Sequence, residues 1–75
     1  MAGSLKDPRY RLIVDRLRAA RLAAGLTQTE LAFRLGRPQS FIAKVEGYER
    51  RLDVLEFIEV AEVIGISPLA AIKVS

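Results

Sequence analysis

Helix start and stop signals recur at short intervals along this chain, and that cadence limits it to a set of short helices. Asp7-Pro8 reads as an N-cap followed by proline at the first helical position. Gly25 suits a C-cap. Thr27, with Glu30 three residues on, is the pattern of a capping box and opens a second helix that Gly36 ends. Pro38 sits where a third helix would start, and its last turn ends near Gly47. Asp53 with Glu56 repeats the cap pattern for a fourth helix, which Gly65 closes, and Ser67-Pro68 opens a short fifth. No alternating strand pattern competes. The expected fold class is all-α, with five helices.

Helical spacing then assigns the faces. Ile13, Leu17, Ala20 and Ala24 form the expected buried stripe of the first helix. Leu31, Ala32 and Leu35 turn inward from the second. Ile42 and Val45 turn inward from the third. Val54, Phe57, Ala61 and Ile64 do so from the fourth, with Val60 beside them. The acidic row Glu56, Glu59 and Glu62 is expected to face water, away from any anionic partner.

Composition removes whole classes of function. At 75 residues the chain is expected to be one domain, 1–75, near the lower end of what folds alone. It has no Cys and no His, hence no disulfide, no thiolate metal site and no imidazole base. With no clustered carboxylate pair and no phosphate-cradling glycine loop either, no enzyme, cofactor, metal or small-molecule ligand is expected. The most apolar run, "VIGISPLAAI", is too short to span a bilayer, and the start lacks a signal peptide's charged head and long apolar middle. No membrane association and a cytoplasmic location are expected.

Two compositional features point to partners. Hydrophobic residues make up 51% of a very short chain, and a homodimer is the simplest way to hide the surplus. Leu55, Ile58, Ile66, Leu69 and Ile72, within helices 4 and 5 (about 53–73), are the expected dimer face; the alternative is that they complete the monomer core. The net charge of +3 is also uneven. Residues 1–51 carry eleven basic against five acidic side chains, and all but one of the charges after residue 51 are acidic. A basic first part joined to an acidic second part suits an anionic partner held by the first.

The stretch "GRPQSFIAKVEGYERR" carries the functional reading. Ala32 is small enough for a close helix crossing, Gly36 permits a sharp turn, and Ile42 and Val45 fold the third helix back onto the second. That describes a helix-turn-helix at about 27–47. With Ile42 and Val45 inward, Ser40, Ala43 and Lys44 point outward and Gln39 lies at the exposed N-terminal edge. Such a face fits the major groove of double-stranded DNA. Gln39 can pair with adenine, Lys44 with guanine or a phosphate, Ser40 with either, and the Ala43 methyl can meet a thymine methyl.

On the stretches "RLAAGLTQTELAFRLG", "PQSFIAKVEG" and "VAEVIGISP", residues 17–68 resemble the lambda-repressor-like, Cro/Xre-type helix-turn-helix family of bacterial and phage transcription regulators. The resemblance implies a compact five-helix DNA-binding domain that acts as a homodimer on a palindromic operator, with Gln39, Ser40 and Lys44 facing bases. It implies backbone contacts at Gln28, Tyr48, Arg50 and Arg51, and a structural ion pair between Arg21 and Glu46. The chain departs from the family pattern at Pro38, where relatives often carry Ser or Thr. Arg37 is expected to supply the missing phosphate contact, with Phe41 half in the core and half a wall beside the backbone. "RRL" at 50–52 replaces a frequent Lys/Arg–Pro segment. For Gln28 the competing reading is a solvated first-turn amide, and for Tyr48 it is packing against the third helix. The expected function is a sequence-specific transcriptional repressor. A restriction–modification controller protein or an antitoxin would use the same fold, and a helical protein-interaction module without DNA binding would share only its helices.

Overall fold

Three of the five helices begin on side-chain caps that the sequence offers. In the computed structural model, which describes residues 5–73, five helices follow one another: α1 (Pro8–Ala23), α2 (Gln28–Leu35), α3 (Gln39–Glu46), α4 (Val54–Ile64) and α5 (Pro68–Ile72). Residues 1–4 and 74–75 of the expected domain lie outside the described residues. Asp7 caps α1 by accepting from the Arg9 amide. Both capping boxes form, Thr27 with Glu30 on α2 and Asp53 with Glu56 on α4. These satisfy amides that the first helical turn leaves without partners. Pro38 supplies no side-chain cap to α3.

Helices α1 to α4 end in the same way: an amide just past the helix reaches back to a carbonyl five residues earlier. The pairs are Leu26 to Arg21, Arg37 to Ala32, Glu49 to Lys44 and Ile66 to Ala61. This ending needs one residue in the left-handed region. Gly36 takes it after α2 at φ 69°. After α3 the residue is not Gly47, which has an ordinary φ of −86°, but Tyr48 at φ 61°. A side chain there costs about 1–2 kcal/mol, so Tyr48 must be held by its surroundings.

The core joins Val14 and Leu17 of α1, Leu31 and Ala32 of α2, Phe41, Ile42 and Val45 of α3, and Val60 and Ala61 of α4. Ala71 closes it from α5, where the carbonyl of Ala71 also accepts from Arg16 of α1. Ala32 is 1% exposed under α3, as its size suggests.

Three expected faces are corrected. The buried stripe of α1 runs through Val14, Leu17 and Arg21, with Ile13 and Ala20 half-buried and Ala24 exposed. The cause is Arg21, whose ion pair turns a charged position inward. On α4, Val54 is 77% exposed rather than inward, and Glu56, expected in water, is buried. Positions 54 and 56 lie about 200° apart on a helix, so burying Glu56 forces Val54 out.

Because Ala32 lies beneath α3 with no space to spare, Ala32→Leu is expected to overpack the α2–α3 crossing and destabilise by about 1–3 kcal/mol. Thermal melting checks this; an unchanged midpoint would contradict the close crossing.

Candidate nucleic-acid interface

Helix α3 divides cleanly into two faces. Phe41, Ile42 and Val45 are buried, while Gln39, Ser40 and Lys44 are exposed and Ala43 is half-buried between them. Along each flank of α3, between these faces, lies a separate polar cluster.

The first flank is built on Glu46. Its carboxylate receives a two-pronged bond from Arg21 of α1, Nε to Oε2 at 2.7 Å and Nη2 to Oε1 at 2.9 Å. Arg21 Nη1 also donates to the Leu26 carbonyl, and Arg18 approaches Glu46 at 3.8 Å. Gln28 Nε2 donates to Glu46 Oε1 at 2.9 Å, and Gln39 Nε2 donates to Gln28 Oε1 at 2.8 Å. The direction of this chain is dictated at its inner end. A carboxylate can only accept, so Gln28 must turn its NH₂ inward and its oxygen outward. That oxygen in turn requires the NH₂ of Gln39. The Gln39 carbonyl and its second N–H are left for an outside partner.

The second flank is built on Phe41 and Glu56. The guanidinium groups of Arg37 and Arg50 lie over the buried Phe41 ring, 4.4 and 4.7 Å from its centroid. Both reach the Glu56 carboxylate. Arg50 Nη1 donates to Oε1 and Nη2 to Oε2, and Arg37 Nη2 donates to Oε2, all at 2.9 Å. The Asp53 amide adds a fourth bond to Oε1. The Arg50 bonds chiefly, with the Asp53 amide and Arg37, hold the Glu56 carboxyl at about 2, against an ordinary value of 4.5, although burial works in the opposite direction.

The loop after α3 is tied to α1. The Tyr48 hydroxyl donates to Asp15, Arg11 lies 4.4 Å over the Tyr48 ring, and the Leu52 amide donates to the Tyr10 hydroxyl. These contacts hold Tyr48 in its left-handed conformation. The Asp15 carboxylate raises the Tyr48 hydroxyl above its ordinary value.

The structure thus brings together Gln28, Gln39, Ser40, Ala43 and Lys44 on one side of α3, and pairs Arg21 with Glu46 as the family resemblance implies. Four of the expected backbone-contact residues are engaged within the chain. Phe41 is 7% exposed, so its ring is a support for two guanidinium groups rather than a wall. The Tyr48 hydroxyl is engaged by Asp15, which favours its packing reading. Arg37 and Arg50 are ion-paired rather than extended into solvent, and Arg51 is exposed beside them in sequence. Sequence reasoning missed Glu56 as their common anchor. Its one signal, the capping-box spacing from Asp53, gives only the local role.

The expected dimer residues are spread over α4 and α5. Leu55 and Leu69 are largely exposed, Ile72 less so, and Ile58 and Ile66 are half-buried. Ile58 and Ile72, with Ile13, Val54 and Phe57, line an apolar groove of about 360 Å³. Among the described residues no helix is long and apolar enough to cross a membrane.

A helix-turn-helix family model matches residues 17–70. The fold is similar to the solved structure of an XRE-family-like protein from Pseudomonas syringae pv. tomato str. DC3000, with a TM-score of 0.81 and 57% sequence identity. That match covers 84% of this chain and 77% of the other. Among curated proteins, none matches.

The Glu56 cluster predicts an acid-labile fold. The folded chain binds the Glu56 proton less tightly than the unfolded chain does, so the contribution is complete above pH 4.5 and is lost as pH falls toward 2. Asp7, also held at about 2, by Arg9, adds a lesser loss in the same range. Urea midpoints measured across that range should fall in the wild type and fall less in Glu56→Gln. Equal slopes would contradict the assignment.

Proposed function

The chain belongs to the Cro/Xre-type helix-turn-helix family of DNA-binding regulators, which are not enzymes, and on that premise we propose that it is a repressor reading a palindromic operator with α3. The observation that carries this reading is the fixed amide of Gln39. Its carbonyl and second N–H form the pair that adenine accepts in the major groove, a donor for N7 and an acceptor for N6. An amide already oriented loses little freedom on binding. Ser40 and Lys44 extend the same exposed face, and Ala43 offers its methyl between them.

The backbone is held on both sides of α3. The remaining N–H of Gln28 lies at the N-terminus of α2, which favours a phosphate. Arg37 and Arg51 flank α3 in sequence and supply positive charge beside the groove, and Arg50 joins them only where the operator draws its terminal nitrogens from Glu56. Affinity drawn from such contacts falls with salt.

The chain works as a homodimer in the cytoplasm, with α4 and α5 forming the interface around Leu55, Ile58, Ile66, Leu69 and Ile72. Exposed Leu69 (73%) and Leu55 support this, since burying such side chains is worth about 1.5–3 kcal/mol each. Two copies would set their α3 helices one helical turn of DNA apart, about 34 Å. Repression follows from occluding the operator.

Selection of bound sequences from random duplexes tests the reading. The wild type should enrich a palindrome, and Gln39→Ala and Lys44→Ala should each relax a different position, at a cost of about 1–3 kcal/mol. Enrichment of one identical motif by all three chains would refute the base assignments. Sedimentation tests the assembly: a dimer is expected, converted to monomer by Leu69→Glu. A wild-type chain that stays monomeric at high concentration would contradict it.

A further inference from the structure

Glu56 lies on neither the groove face nor the apolar surface, yet it accepts bonds from two cations beside α3. We propose that Glu56 is a specificity-determining positioning residue: it holds the Arg37 and Arg50 guanidinium groups on Phe41 and so withholds the terminal fork of Arg50 from DNA of arbitrary sequence. The inference rests on the DNA-binding reading of α3.

Two arginines over one aromatic ring would repel each other and swing outward if nothing held them. One carboxylate cancels one of the two charges and bonds both groups. Glu56 cannot follow them outward, because its own amide donates to Asp53 Oδ1 at 2.7 Å and its Oε1 accepts from the Asp53 amide. The carboxylate is therefore fixed to the first turn of α4.

The geometry decides between withholding and presenting. Glu56 takes both terminal nitrogens of Arg50, the end-on fork that a phosphate would otherwise use, and the Arg50 Nη1 also donates to the Arg51 carbonyl. A phosphate that recruits that fork must displace a shielded carboxylate. Binding to arbitrary DNA depends on cations that reach phosphates in many registers. Arginines fixed on a ring serve that purpose poorly. Operator binding depends less on them, because base contacts from α3 set the register there.

The test compares the full wild-type chain with Glu56→Gln on a random-sequence duplex and on the duplex enriched by selection, by fluorescence anisotropy across a salt series. Glu56→Gln should bind the random duplex several-fold tighter, with a salt slope steeper by about one, and the ratio between the two duplexes should narrow. Random-duplex affinity that is unchanged or weaker overturns the proposal. Circular dichroism checks that the variant folds. Arg50→Gln, with Glu56 intact, provides an independent arm. It should change the random-duplex salt slope by well under one. A loss of about one would place Arg50 on phosphate already and overturn the proposal. Failure of the wild type to bind either duplex would instead overturn the DNA reading, and this inference with it.

Discussion

The bond between Arg21 and Glu46 organises more of this small protein than any apolar contact does. It joins the last turn of α1 to the last residue of α3, across 25 positions of sequence. Both side chains are nearly inaccessible to water. Such a pair is a weak source of net stability, but losing one partner costs about 3–5 kcal/mol because the other charge stays buried. The pair thus fixes where α3 can lie. It also rotates α1, which buries Val14 and Leu17 with Arg21 instead of the more apolar-looking Ile13 face.

The same carboxylate reaches the surface through two amides. Glu46 sets the polarity of Gln28, and Gln28 sets that of Gln39. A core ion pair and the exposed amide proposed to read a base are therefore one hydrogen-bonded unit. On the other flank, Phe41, Arg37, Arg50 and Glu56 form a second unit that joins the turn before α3 and the loop after it to the start of α4. Held along both flanks, α3 presents Gln39, Ser40 and Lys44 from a rigid support.

What was legible in the sequence is what local chemistry decides. Caps, capping boxes and left-handed glycines are written within a few residues of where they act, so Thr27, Asp53, Gly36 and Gly65 mark the helices well. Ala32 was legible because only a small residue suits a close crossing. The rest depends on charged groups buried by distant partners. Apolar periodicity cannot foresee that Arg21 belongs inside, nor that Glu56 is the odd member of an acidic row. The conformation of Tyr48 was illegible for a related reason: the cost of its left-handed position is met by Asp15 and Arg11 of α1, which lie far from it in sequence. At the candidate site, the outward face of α3 could be read from spacing, but the partners that orient it could not.

The chain has two glutamines and no asparagine, so its side-chain amide spectrum holds only Gln28 and Gln39. Titrating ¹⁵N-labelled protein with the selected duplex, and watching those two NH₂ pairs, tests the central claim directly. If the Glu46-anchored chain presents Gln39 to a base, both pairs shift on binding, Gln39 the more. If the duplex binds and neither pair moves, α3 is not read through Gln39 and the account fails.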